Sequence, residues 1–218
     1  MIAINPSPRF LSTTFVWFAV FITVCKGDPD PTDGFTAVPL DEDNFKKQWP
    51  YNVDLSARYS FEYGIRRLWV YSSDKPFKRD SDTKPRTEIR MTGYDYSDGI
   101  WQFEGYGYVP NGTTGVSIMQ IFGADNYATS FMLHVYDGQL MYYNRKVMEH
   151  DIYERWFRLN VIHTVGQGIT VFIDGIQKYV ANDRGGKDHY FKFGVYMQED
   201  SSYLMESSWR DVKIYNKS

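Results

Sequence analysis

Along the segment FKFGVYMQ, residues 191–198, apolar and polar positions alternate. Phe191, Phe193, Val195 and Met197 project to one side of an extended chain, and Lys192, Gly194, Tyr196 and Gln198 to the other. The same period of two runs through RTEIR, where Arg86, Glu88 and Arg90 share a face against Thr87 and Ile89. In SIMQIFG it puts Gln120 on a face with Ile118 and Phe122, while Met119 and Ile121 point the other way. Further runs of this kind are RYSFEYG, IRRLWVYS, GIWQFEGYGYV, SFMLHVYD, QLMYYN, FRLNVIH, ITVFID, IQKYVA and SWRDVKIYN. The Asp-Gly pairs of YDGQ (136–139) and IDGI (173–176) predict tight hairpins, because this pair accepts the left-handed backbone such turns need. Helical periodicity is almost absent. Short strands separated by turn signals predict an all-β fold, an antiparallel β-sandwich of the jelly-roll kind with a concave ligand groove. Residues 28–48, rich in Pro, Asp and Gly, are expected to cross the surface as a loop, with at most one helical turn near LDEDNF.

The beginning of the chain follows a different pattern. Arg9 precedes the apolar run FVWFAVFITV (15–24), and Cys25 and Gly27 occupy the two small-residue positions of a cleavage site. Residues 1–27 are therefore read as a signal peptide and 28–218 as a single domain. The apolar run is half the roughly twenty residues that a membrane span needs, so no span is expected in the mature chain. Cleavage removes Cys25, the one cysteine, so the domain must be stabilised by a core without disulfides. It also removes Arg9 and Lys26, leaving 22 basic residues against 27 acidic ones and no basic tract, which argues against nucleic acid as a partner. Asn111-Gly-Thr is an N-glycosylation sequon on a turn-like segment, and Asn216-Lys-Ser is a second at the far end.

The polar stripes carry the candidate chemistry. Glu88, between Arg86 and Arg90, can pair with either, leaving positive charge for a ligand carboxylate; the alternative is a solvated face with its own ion pairs. Gln120 is either a core amide satisfied by its neighbours or a hydrogen-bond partner at a cleft edge. On the third stripe Tyr196 supplies a phenol, Lys192 a charge and Gln198 an amide, and Gly194 leaves room for close approach. Tyr106 and Tyr108 in WQFEGYGYV add rings suited to stacking on sugars, or to an ordinary sandwich surface. His134, His150, His163 and His189 have no metal-ligand spacing and read as structural or solvated, and no glycine-rich loop opens a helix. Neither a metal nor a cofactor is expected.

The segments RTEIR, QIF and YFKFGVYMQ, in this order, closely resemble the three signature segments of the alginate lyase 2 superfamily, polysaccharide lyase family 7. GFTAVPLDEDNF, YSFEYGIRRLWVYSSDKPF, WQFEGYGYVPNGTTGVSIMQ and YERWFRLNVIH resemble its plant citrate-binding branch, so the likeness spans essentially the whole mature chain. The resemblance implies a jelly roll binding an anionic ligand. In the lyases, a base removes the proton beside a uronate carboxylate and an acid protonates the departing glycosidic oxygen, while hydrogen bonds and positive charge stabilise the enolate. By resemblance, Arg86 and Gln120 meet the carboxylate, Tyr196 donates the proton, and Glu88, Arg90 and Lys192 support the cleft. One position departs from the pattern: Phe122 stands where the lyases carry histidine, and a phenyl ring neither accepts nor donates a proton. His189 is not at that position. The expectation is a monomeric secretory-pathway protein, of vacuole or cell wall, that binds citrate or another polycarboxylate, or an acidic polysaccharide. The alternative is a lyase using Tyr196 as both acid and base.

Overall fold

The computed structural model describes residues 29–143 and 146–217; the expected leader, residues 1–27, lies outside them. Apart from two short 3-10 turns, at Glu42–Asn44 and Leu55–Ala57, the regular elements are strands. The first five are β1 (Thr36–Ala37), β2 (Phe45–Gln48), β3 (Tyr59–Glu62), β4 (Ile65–Tyr71) and β5 (Arg86–Met91). The middle of the chain forms β6 (Ile100–Tyr108), β7 (Val116–Phe122), β8 (Thr129–Tyr136), β9 (Gln139–Tyr142) and β10 (Lys146–Glu149). The last five are β11 (Trp156–Thr164), β12 (Gly168–Ile173), β13 (Ile176–Asn182), β14 (Tyr190–Met197) and β15 (Leu204–Lys217). They make two antiparallel sheets. One runs β13-β12-β11-β6-β15-β4-β3, with β1 on β15, and the other runs β10-β9-β8-β7-β14-β5-β2. This is the sandwich that the alternating pattern predicts.

Both Asp-Gly hairpins form, with φ of 47° and 77° at Asp137 and Gly138 and of 53° and 80° at Asp174 and Gly175, as the two central positions of a primed turn require. The core lies between the sheets. Phe193 of β14 meets Phe103 of β6 and Trp209 of β15 at ring-centroid distances of 5.9 and 5.6 Å, and Leu68, Ile89, Met119, Phe131 and Val195 close the space around them, all fully buried. Large rings fill the gap between two sheets with few side chains and bury much apolar surface without any disulfide.

Residues 28–48 are not simply a loop. The expected turn forms at Glu42–Asn44, where the Asp41 and Asn44 side chains cap each other's backbone, but β1 precedes it and β2 follows it. Phe45 alone of FKKQ reaches the core, at 7% exposure, so an edge strand of otherwise polar residues left no apolar alternation to read. Strand β10, KVME, escaped notice for the same reason.

Ile118 is a second correction. The pairing of β7 with both neighbours shifts register across it, a β-bulge that turns Ile118 into the core beside Met119 instead of onto the face of Gln120. Gly194 is a third. At φ 134° a Cβ would lie 2.4 Å from the Thr87 carbonyl oxygen and 2.9 Å from the Glu88 Cα. The neighbouring strand, rather than a ligand, is what approaches here.

Candidate functional site

The outward face of the seven-stranded sheet collects the three stripes. Strand β14 lies between β5 and β7, with Tyr196 opposite Arg86, Gly194 opposite Glu88 and Lys192 opposite both Arg90 and Gln120. Directly paired residues of an antiparallel sheet share a face, so register alone brings these side chains together. Outward-facing polar residues are normally wet, yet Glu88, Gln120 and Lys192 are 1%, 2% and 3% exposed. Larger side chains stand around them and make the face a groove.

Glu88 is its centre. It accepts from Lys192 Nζ at 2.5 Å, from Gln120 Nε2, and from Arg86 Nη1 at 3.4 Å. Of its two flanking arginines Glu88 pairs with Arg86 only; Arg90 reaches out to Asp95. Each guanidinium also lies over a ring, Arg86 at 3.9 Å from the Tyr196 centroid and Arg90 at 3.8 Å from that of Tyr190. Arg86 and Lys192 thus pair with Glu88, and Arg90 with Asp95. Burial pushes the Lys192 ammonium below its usual pKa, Glu88 holds it up, and Arg86 and Arg90 push it down further. Among the described residues the buried Nε atoms of Arg86 and Arg90 have no hydrogen-bond partner. A buried donor left unpaired costs about 1–3 kcal/mol, a penalty that an acceptor brought by a ligand would relieve.

Phe122 stacks on Tyr190 at 4.9 Å and 17°, and with Arg90, Asp95, Asp125, Lys187 and Asp188 the pair lines a cleft of about 570 Å³. This is an apolar wall where a proton-transfer group would be needed for elimination. His189 does not fill that role: it is fully buried, its Nδ1 lies 3.2 Å from the Phe122 carbonyl oxygen, and its ring meets His163 edge-on at 4.7 Å. His163 in turn bonds Tyr96 and Asp183, both at 3.0 Å. That network belongs to the core. Gln198, just past β14, turns its amide onto the carbonyls of Tyr196 and Met197 at 3.1 and 2.9 Å.

Sequence reading missed several residues of this face, Tyr190 among them. Lys46 and Gln48 on β2 stand opposite Arg90 and Glu88, and Ser117 and His134 continue the row that begins with Arg86 and Tyr196. The alternation of SFMLHVYD did mark His134 as facing away from Leu133 and Val135; only the strand order shows which sheet face that is. Tyr106 and Tyr108 fall outside the groove. They sit on β6, in the other sheet, with Trp156 and Arg210.

A family model described as alginate lyase matches residues 39–216. The chain belongs to the alginate lyase 2 family. Within the family, a Citrate-binding protein of Hevea brasiliensis is 60% identical over 188 residues, covering 85% of this chain and 79% of the relative. An alginate lyase of polysaccharide lyase family 7 superposes with a TM-score of 0.65 at 16% identity, over 86% of this chain and 99% of its own. The alginate lyase from a Corynebacterium species gives 0.66 at 15% identity, over 81% and 96%. At such identities the family's solved lyases share this chain's fold, and that is all the superposition carries.

Proposed function

We propose that this protein binds carboxylates, of the citrate type or as the uronates of an acidic glycan, in the groove between β5, β14 and β7. The observation that carries this reading is the gathering of Arg86, Arg90 and Lys192 on one face, with the Nε donors of both arginines unpaired among the described residues. A carboxylate ligand supplies the missing acceptor, and a guanidinium can hold it in two-point geometry. The name of the Hevea relative supports citrate in particular. Phe122 supports binding without turnover, because the elimination needs both a base and an acid, and each such group typically contributes about a hundred- to ten-thousand-fold.

Titration calorimetry with citrate and with uronate oligomers tests the reading. Binding that Arg86→Ala removes is the expected result, and no binding by the wild type would end it. A second reading, a weak lyase, is favoured by the gathering of Arg86, Gln120 and Tyr196 on one face. It requires an unsaturated product, seen as rising ultraviolet absorbance on alginate, glucuronan or pectic substrates and abolished by Tyr196→Phe. The Phe122→His variant separates the two: gained lyase activity marks a lyase frame that lacks only its base. We place the protein's work in the secretory pathway on the strength of the leader-like residues 1–27.

A further inference from the structure

We propose that His134 is a ligand-binding residue of the groove, holding a second acidic group of a ligand whose first is held by Arg86. The inference rests on the carboxylate-binding reading above and names the ligand more narrowly, as a molecule carrying at least two acidic groups set apart from each other. Citrate and a short uronate oligomer share that chemistry.

Register places the residue. Arg86 pairs with Tyr196, Tyr196 with Ser117, and Ser117 with His134, so the four stand in one row across β5, β14, β7 and β8 and share the groove face. Tyr196 and His134 are two strand spacings apart, about 10 Å between backbones. The other side of β8 is closed by the core residues Leu133 and Val135.

His134 is 4% exposed, and among the described residues neither ring nitrogen has a hydrogen-bond partner. Imidazole always offers at least one donor or acceptor at each nitrogen, and buried polar groups are normally paired. The described hydroxyls around the ring donate elsewhere. The Ser117 hydroxyl donates to the Met119 carbonyl at 3.4 Å and the Tyr136 hydroxyl to the Glu199 carbonyl at 3.2 Å. The Tyr143 hydroxyl donates to the Thr129 carbonyl at 3.0 Å and receives Arg184 at 2.7 Å. The rings of Tyr136 and Tyr143 flank the imidazole at 6.0 and 5.7 Å and fix its place without satisfying it. Among the described residues burial is the one influence that moves its pKa, down to about 4. An unsatisfied, fixed imidazole in the same row as the groove arginine is a ligand contact in waiting.

The test is made on the full mature chain by long-range proton–nitrogen spectra of the imidazoles, titrated with citrate, with trimannuronate, and with glucuronate as a single-carboxylate control. His134 is assigned by the signal that His134→Gln removes. Movement of its ring-nitrogen signals by citrate or trimannuronate, with glucuronate leaving them in place, is the expected result; the probe that moves them identifies the source. The titration midpoint of the ring should rise from about 4 when that probe is bound. His134→Gln should weaken that probe about ten-fold and leave glucuronate unchanged. Signals that stay still at saturating ligand assign the ring to an enclosed water and overturn the proposal, as does unchanged affinity in His134→Gln. If Arg86→Ala abolishes binding while the His134 signals stay still, this inference fails and the carboxylate-binding reading survives. If no probe binds the wild type, both fall.

Discussion

A buried glutamate faces outward near the middle of each sheet, Glu104 on one and Glu88 on the other, and the two are served differently. On the eight-stranded sheet Glu104, at 5% exposure, accepts from Arg158, Asn160 and Tyr215, with Lys213 nearby, and Asp30 binds the far side of Arg158. Two cations meet two carboxylates. Burial opposes ionisation of Glu104, but these hydrogen bonds outweigh it and hold the carboxyl below its usual range, while burial and Glu104 push the Tyr215 phenol up to about 12. What is left unpaired there is the amide oxygens of Gln102 and Asn160. On the seven-stranded sheet Glu88 is also satisfied, but the leftover atoms include guanidinium donors, the Nε atoms of Arg86 and Arg90. A network whose cations all find partners is a structural device. One with cationic donors to spare is shaped for an anion from outside.

The comparison is open to breaking. The largest expected effect is on stability. Glu88→Gln leaves Lys192 buried without its counter-charge and should cost about 3–5 kcal/mol by chemical denaturation. Glu104→Gln should cost less, about 1–2 kcal/mol, because Arg158 is partly exposed and keeps Asp30. Equal losses would erase the distinction between the sheets.

Acid should also loosen the two sheets in sequence. The unfolded chain takes up a proton at His134 near pH 6.5, which the folded chain delays until about pH 4. The stability contributed by the neutral ring is therefore complete above the higher value and drains as pH falls through the lower one, by at most about 1.4 kcal/mol per pH unit. The depressed carboxyl of Glu104 adds its own loss only below the ordinary carboxylate range. Urea titrations between pH 7 and pH 4.5 should show a shallower decline in His134→Phe than in the wild type. Parallel declines would sink the assignment.

Binding gives the next contrast. Arg86→Ala should weaken citrate by about 2–3 kcal/mol in calorimetry, and Arg158→Ala should leave that affinity alone while lowering the melting temperature. The smallest effect belongs to Lys46, exposed on β2 opposite Arg90. Lys46→Ala should reduce affinity by less than about three-fold, a difference that added salt abolishes.

β5 and β14 were legible because each alternates over its own length, as where Phe191, Phe193 and Val195 face the core while Lys192 and Tyr196 do not, whereas the bulge at Ile118 breaks the alternation of β7. What one strand cannot encode is its neighbour. His134 looked like any histidine on the polar side of a strand until the pairing of Ser117 with both β8 and β14 put it in the row of Tyr196. Lys46 and Gln48 stayed hidden because a short edge strand offers a single core contact, Phe45, and so no period. Glu88 was foreseen as a partner for arginine, but its closest cation, Lys192, lies 104 residues away, a contact that only folding creates.

Gly194 then acquires a wider meaning. A methyl group on it would run into the Thr87 carbonyl oxygen, so its absence lets β14 and β5 pair beside the point where Arg86 lies over Tyr196. The gauge of the groove is set by a side chain that is missing. An alanine there would prise β14 from β5 and spoil ligand recognition without touching a single polar group.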